Sequence, residues 1–124
     1  MKTAQLNDLK SVSEVLYHRE HNAIHVLLIE EGRLRTALMQ LDQQASDARK
    51  DLQQGDAMQR IGADIVWQRW LTRSRRALNI ELATVLAQKS NAMVRVRAAF
   101  GRKEAINQIM AAAQLEKARK SRRF

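Results

Sequence analysis

The sequence predicts an all-α protein, a long antiparallel two-helix coiled-coil hairpin. Three observations predict this fold class. The 124 residues include no proline and only four glycines, so few residues interrupt a helix. Apolar residues recur at alternating steps of four and three, which is the spacing of a coiled-coil seam. A single stretch with strong turn chemistry, QQGDAMQ, lies near the middle of the chain.

The first helix is predicted over about residues 4–54. Its expected seam, the stripe that faces the second helix, comprises Leu9, Ser13, Leu16, Glu20, Ala23, Leu27, Glu31, Leu34, Leu38, Leu41, Ala45, Ala48 and Leu52. The polar positions all precede Leu34, which predicts looser packing in the first part of the helix. Around Leu27 two steps of four follow each other, and such a stutter locally unwinds a supercoil.

The hairpin turn is predicted at about residues 55–57. Gly55 can adopt the left-handed conformation that ends a helix, and Asp56 can cap the next one. Gly32 and Gly62 are the alternative breaks, but no capping residue follows either directly. In an antiparallel pair of helices the numbers of two facing residues have a constant sum. If the chain folds back at Gly55, this sum is about 110. The stutter near residue 29 then faces a second one near residue 80.

The second helix is predicted over about residues 58–120. Its expected seam comprises Trp67, Leu71, Ser74, Leu78, Leu82, Val85, Lys89, Ala92, Val96, Ala99, Lys103, Ile106, Met110 and Ala113. In the expected register, roughly the last eighteen residues have no partner on the first helix. We therefore predict one domain, residues 1–124, with a protruding C-terminal end.

Positive charge is concentrated in the second half of the chain. Residues 1–54 contain seven Lys or Arg and eight Asp or Glu, a net charge of −1, whereas residues 55–124 contain fifteen and five, a net charge of +10. Such asymmetry indicates an acidic partner, whether nucleic acid, anionic lipid or an acidic protein surface. We predict that the protruding end binds a protein through Ile106, Ile109, Met110, Lys117, Arg119, Lys120, Arg122 and Arg123.

A second, lateral binding site is predicted from surplus apolar residues. The stretch AIHVLLI is apolar nearly all round the helix, whereas a two-stranded coil buries one stripe. Two interpretations of Trp70 stay open, because it either seals the thin core beside Trp67 or anchors another protein. The residues assigned to this lateral site are Trp70, Ile24, Leu28 and Ile29.

The sequence offers no pattern typical of catalysis. His18, His21 and His25 share one helical face with Glu14, a spacing that could gather ligands on zinc, but we expect ordinary exposed histidines there. No nucleophile motif or phosphate-binding loop occurs. We predict that the protein is not an enzyme, with no catalytic residues, no metal, no cofactor and no small-molecule substrate.

The expected location is the cytoplasm. The chain has no cysteine, and its first residues lack the apolar core of a signal peptide. We expect membrane association only through partners. Nucleic acid is not the expected partner, because the arginines of the second helix are not interleaved with aromatic residues suited to base stacking.

Two stretches resemble a known family. IVWQRWLTRSRRAL and VRAAFGRKEAINQIMAAAQLEKARK, on a helical hairpin, are similar to the flagellar export protein FliJ and its virulence-system counterparts of the YscO type. The resemblance implies a stalk similar to the γ subunit of rotary ATP synthases, inserted in the hexameric ring of the type III export ATPase and touching the export gate. It also implies that the paired terminal ends enter the ring, here residues 6–16 and about 96–115, with the basic tail beyond.

The predicted function is therefore a non-enzymatic coiled-coil stalk or adaptor of the flagellar (type III) protein export apparatus. It would promote the assembly or activity of the export ATPase ring. The alternative is a self-associating basic coiled coil, a four-helix bundle dimer formed through residues 24–29, which binds nucleic acid or an anionic surface with its tail.

Overall fold

In a computed structural model the chain is all-α and forms a helical hairpin, which confirms the predicted fold class. Helix α1 spans Thr3–Leu52 and helix α2 spans Ala57–Arg123. These bounds differ from the predicted ones by one to three residues. The structure describes residues 3–53 and 57–123, without the side chains of residue 52 and residues 57–60. Gly55 and Asp56, where the turn was predicted, lie outside the described residues.

Two features of the sequence favour these long helices, the small cost of their internal glycines and the positive charge in their last turns. Gly32 and Gly62, the alternative breaks, both lie inside helices, where a single glycine costs only about 1 kcal/mol relative to alanine. The last turn of α1 carries Arg49 and Lys50, and the last turn of α2 carries Lys120, Arg122 and Arg123. Positive charge at a helix C-terminus interacts favourably with the helix dipole.

The chain divides into two compact units. The central unit is Leu27–Gln88, and the terminal unit combines Met1–Val26 with Lys89–Phe124. Each unit therefore contains a segment of both helices, and each is described by itself below.

The core of the central unit consists mainly of leucines, together with Ala45 and Val85. Leu41, Ala45 and Leu71 form a buried cluster against which Leu78 packs, and Leu34 is completely buried. Two ion pairs join the helices at the surface of this unit. Arg75 Nη2 lies 2.6 Å from Asp42 Oδ1, and Arg33 Nη2 lies 3.6 Å from Glu81 Oε2.

The core of the terminal unit is made mostly of small residues. Its buried side chains are Leu6, Ser13, Ile24, Ala92 and Ala99. The Ser13 hydroxyl donates a hydrogen bond of 2.8 Å to the Lys10 carbonyl, so this buried polar group is satisfied within its own helix.

The structure corrects the predicted seam in the first part of α1. Leu9 and Leu16, which we predicted in the seam, are exposed, while Tyr17 is half-buried and Ile24 is buried. From Ser13 to Ala48 every position of one unbroken heptad stripe is buried or half-buried, with half-buried Glu14, Ala23, Glu30 and Ala37 beside it: Ser13, Tyr17, Glu20, Ile24, Leu27, Glu31, Leu34, Leu38, Leu41, Ala45 and Ala48. The predicted stutter around Leu27 is therefore wrong. An unbroken heptad keeps one face toward the partner helix without local unwinding.

The seam of α2 agrees with the prediction from Trp67 to Met110. Every predicted position in that range is buried or half-buried. The doubled step of four between Ser74 and Leu82 is present in this pattern, because Leu78 and Leu82 are both sheltered while Glu81 is exposed. At the end of the predicted seam Ala113 is exposed.

The register between the helices also differs from the prediction. In the central unit the pairs Asp42 with Arg75 and Arg33 with Glu81 have numbers that add up to 117 and 114. In the terminal unit Glu20 with Arg95 gives 115. The predicted value of about 110 is thus four to seven residues too small, and the expected coincidence of two stutters is wrong. Contacts between seam side chains set the register of a helix pair, and the choice of turn residue does not fix it.

Candidate protein-binding surfaces

The C-terminal end of α2 is the most cationic exposed segment of the terminal unit. Every residue from Ala111 to Arg123 is exposed. The predicted tail cations Lys117, Arg119, Lys120, Arg122 and Arg123 all lie on it. No carboxylate among the described residues lies within ion-pair distance of these five side chains. The segment therefore presents its charge to solvent, where it can act on a charged partner at long range.

The apolar residues predicted at this end divide into two groups. Ile109 is 50% exposed, but Ile106 and Met110 are half-buried. The expectation that all three lack a partner is therefore wrong for Ile106 and Met110. The cause is the corrected register, which extends pairing with α1 further toward the C-terminus. Buried Leu6 marks the α1 end of this contact region.

The predicted lateral site is only partly exposed. Ile24 is 8% exposed and belongs to the core of the terminal unit, so its assignment as a partner contact is wrong. Leu28 and Ile29, in the central unit, are exposed. Ile24 occupies a seam position of the unbroken heptad, whereas Leu28 and Ile29 follow the seam residue Leu27 on the outer side of the helix.

Trp67 and Trp70 form a stacked pair near the start of α2. Their ring centroids are 4.8 Å apart, with an angle of 27° between the ring planes. Trp67 is half-buried, and its indole nitrogen is buried without a hydrogen-bond partner among the described residues. Trp70 keeps 39% of its surface exposed. The stacking holds the Trp70 ring in place, and its exposed part leaves the partner contact a prediction.

Tyr17 lies at the centre of an aromatic cluster in the terminal unit. Its ring centroid is 5.8 Å from that of Phe100 on α2, and Lys103 Nζ lies 4.8 Å from it in a cation–π contact. The His18 and His21 rings lie 5.6 and 5.9 Å away. The cluster joins the two helices on the side of the seam opposite Leu9 and Leu16.

Sequence reasoning missed one exposed stripe. Leu9, Val12 and Leu16 are spaced by three and four residues on α1, so they share one face, and all three are exposed. A shallow surface groove lined by Gln5, Asp8, Leu9 and Val12 lies on this face. The signal was present in the sequence, because placing Tyr17 and Ile24 in the seam gives an unbroken heptad and leaves this stripe outside.

One ion pair shifts the acidity of its members. Arg33 Nε donates a hydrogen bond of 3.1 Å to Glu30 Oε2. This hydrogen bond and the guanidinium charge hold the pKa of Glu30 below its ordinary value of 4.5. The same interaction raises the pKa of Arg33. Both side chains are exposed, so the pair organises a surface of the central unit without forming a reactive site.

Two features are absent from residues 3–53 and 57–123, a cluster of metal ligands and a membrane-spanning stretch. No group of three or more His, Cys, Asp or Glu side chains is arranged to hold a metal ion there. Neither helix contains, in its described part, a stretch long and apolar enough to cross a bilayer.

Comparison with known proteins returns no relative. A scan against protein-family models finds no match, and searches of curated proteins and of solved structures also find none. The fold and the surfaces define an all-α helical hairpin with an exposed basic end.

Proposed function

We propose that the chain is a non-enzymatic coiled-coil stalk or adaptor of the flagellar (type III) protein export apparatus, working in the cytoplasm. It binds the hexameric export ATPase and promotes the assembly or activity of the ring. The observation that carries the proposal is the end of α2, where residues 111–123 are exposed and five cations lie within seven residues. The resemblance of two stretches to the FliJ and YscO type adds the identity of the partner.

Charge and apolar contact have separate roles in this proposal. The tail cations steer the chain toward acidic groups on the ring, because electrostatic complementarity mainly raises the association rate. Ile109 then supplies apolar burial, with Ile106 and Met110 contributing their exposed parts. Burial of a whole isoleucine side chain contributes about 1.5–3 kcal/mol.

The export gate is the second partner that we propose. We assign Trp70 as the main contact with the gate, because it is held by stacking on Trp67 and remains 39% exposed. Tryptophan is enriched among residues that dominate protein interfaces. Leu28 and Ile29 are further exposed contacts of the central unit.

The direct test uses the export ATPase from the same cell. Purified full-length protein is expected to raise both the hexamer fraction, measured by light scattering, and the rate of ATP hydrolysis. Replacing Lys117, Arg119, Lys120, Arg122 and Arg123 by glutamine should abolish most of the effect at low salt. No change in hexamer fraction or rate with the unaltered protein would refute the proposal.

A charge-matched control distinguishes an effect of the tail cations from an effect of the net positive charge of the chain. The control replaces five cations of the central unit together by glutamine, namely Arg49, Lys50, Arg69, Arg73 and Arg76. This variant should keep most of the stimulation. Equal loss in both variants would assign the effect to net charge rather than to the tail.

Self-association is the second candidate function. The exposed stripe of Leu9, Val12 and Leu16 favours it, because a stripe with this spacing is typical of helix pairing. The stretch of residues 24–29 is a less suitable contact than predicted, since Ile24 is buried. A stable dimer in light scattering, together with salt-sensitive DNA affinity, would favour this candidate over the export stalk.

A further inference from the structure

The terminal unit contains an apolar stripe that its own core does not use. The first part of α1 has two sets of apolar residues, and the core takes Leu6 and Ile24, leaving Leu9, Val12 and Leu16 exposed. Leu16 is 38% and Leu9 42% exposed, so each is partly sheltered by neighbours and lies beside the seam rather than opposite it. A residue beside the seam borders the groove between two helices.

The contact between Glu20 and Arg95 identifies what lies across that groove. Arg95 Nε is 3.2 Å from Glu20 Oε2, which brings these flanks of the two helices together. Leu16 lies four residues before Glu20 on α1, and Ile109 lies two heptads after Arg95 on α2, so each continues its flank. Because the helices run antiparallel, Leu9 comes beside the α2 segment that contains Ile106 and Ile109. The groove is thus bordered by apolar side chains of both helices.

The opposite side of the same unit is already occupied. There Tyr17 contacts Phe100 and Lys103 across the two helices. The open side is therefore the one bordered by Leu9, Leu16 and Ile109.

The charged residues along the open side are mostly cations. Heptad spacing places Arg102 between Arg95 and Ile109, and Lys120, eleven residues or about three turns beyond Ile109, lies near the same face. Arg19 and Lys117 lie next to it, whereas Asp8 and Glu116 are the acids in this region. The rim thus carries four positive charges against two negative ones, apart from the Glu20 and Arg95 pair. An acidic ligand matches this rim.

We propose that this groove binds an amphipathic α-helix that has acidic residues beside its apolar stripe. Leu9, Val12, Leu16 and Ile109 contact the apolar stripe, and Arg102, Lys117 and Lys120 contact the acidic flanks. The bound helix completes a local three-helix bundle, a mode of recognition in which residues at i, i+3 or i+4, and i+7 enter the groove. The inference deepens the proposed function and rests on it, because the groove lies at the end that we propose to enter the ring.

A second copy of the chain fits the groove less well. The terminal unit carries thirteen Lys or Arg and five Asp or Glu, a net charge of +8. Two such units placed face to face repel each other, whereas an acidic helix is attracted. The area that four partly exposed apolar residues can bury also falls short of the roughly 1,000 Å² or more that a stable dimer interface buries.

The test measures binding of a synthetic helix to the full-length protein. The probe is a fluorescently labelled peptide of about six turns with leucine at heptad positions a and d and mostly glutamate elsewhere. Its scrambled version has the same composition and charge. We expect the patterned peptide to bind about tenfold or more tightly than the scrambled one in fluorescence anisotropy, because only the former presents a continuous apolar stripe.

Matched substitutions locate the site. Leu16→Ser should weaken binding about tenfold, while Leu86→Ser, at a similarly exposed leucine of the central unit, leaves it unchanged. Arg102→Gln should weaken binding about two- to fivefold, while Arg97→Gln, on the other flank of α2, leaves it unchanged. Circular dichroism checks that all four variants keep their helicity, as expected for substitutions at exposed positions.

Three results would overturn the inference. The scrambled peptide could bind equally well, which would reduce the site to charge attraction. The control substitutions could weaken binding as much as those in the groove. Light scattering could show a dimer that Leu16→Ser dissociates, which would assign the stripe to a second copy of the chain. None of these measurements involves the ATPase, so failure here and failure of the proposed export function are distinguishable.

Discussion

The two units of the molecule differ in the size of the side chains they bury and in their net charge. The central unit buries Leu34, Leu41 and Leu71 and is nearly neutral, with nine Lys or Arg against eight Asp or Glu. The terminal unit buries mainly small residues, among them Ser13, Ala92 and Ala99, and has a net charge of +8. The central unit therefore buries larger apolar side chains, and the terminal unit carries the excess of positive charge.

This difference indicates a division of labour. Buried leucines dominate the free energy of a helix pair, since each contributes about 1.5–3 kcal/mol. Small residues at the helix contact bury less apolar area and contribute less. We expect substitutions in the central core to affect stability most and substitutions on the terminal surface to affect binding most.

The largest effect is expected for Leu34→Ala. Leu34 is completely buried in the central unit, so its truncation should lower the free energy of unfolding by about 3 kcal/mol through lost burial and a cavity. Chemical denaturation followed by circular dichroism measures this. The matched change Leu16→Ala, on the surface of the terminal unit, should cost about 1 kcal/mol or less. Equal losses would contradict the seam that the structure shows.

The next effect compares two isoleucines of α1. Ile24→Ala should destabilise the protein by about 2 kcal/mol, because this side chain belongs to the terminal core. Ile29→Ala, at an exposed position of the central unit, should change stability by about 0.5 kcal/mol or less. Thermal denaturation of both variants is sufficient. A larger loss of stability for Ile29→Ala than for Ile24→Ala would contradict the core position of Ile24 and would favour its predicted place on the binding surface.

A smaller effect is expected for the ion pair of the central unit. Asp42 and Arg75 are both largely exposed, and such pairs contribute about 0–1 kcal/mol. A double-mutant cycle with Asp42→Asn and Arg75→Gln should give a coupling in this range that declines as salt is added. A coupling well above 1 kcal/mol, or one insensitive to salt, would mean that the pair is less accessible to solvent than its exposure indicates.

The smallest effect concerns pH. Because the folded-state pKa of Glu30 lies below its ordinary value of 4.5, its stabilising contribution is present above that value and is lost as the pH falls through the folded-state pKa. Glu30→Gln should therefore lower the melting temperature slightly at about pH 6 and by less at about pH 3. In an Arg33→Gln background the difference should vanish at both pH values, and its persistence there would exclude Arg33 as the cause.

Most of the fold follows from the sequence for identifiable reasons. The absence of proline and the periodic apolar residues predict two long helices, and the α2 seam from Trp67 to Met110 has no competing stripe. In the first part of α1, Leu9 and Leu16 compete with Tyr17 and Ile24 for the seam. Nothing local decides between the two sets, because Ser13 and Glu20 are polar positions common to both.

The register and part of the binding surface are harder to predict. A turn residue limits where the chain reverses but does not fix which side chains meet, so the sequence-based register is four to seven residues off. That error assigned too much of α2 to the unpartnered end and placed Ile106 and Met110 there. The tail cations are evident from the sequence alone, because exposure of a charge cluster at a chain end does not depend on register.

The most direct test of the central claim is site-specific photocrosslinking in living cells. A photoreactive amino acid replaces Ile109 of the terminal unit in one strain and Ile80 of the central unit in another, two exposed isoleucines of the same helix. The account predicts that position 109 crosslinks to the export ATPase, identified by mass spectrometry, and that position 80 does not. Crosslinking to the ATPase from position 80 alone, or from neither position, would contradict the terminal unit as the docking end.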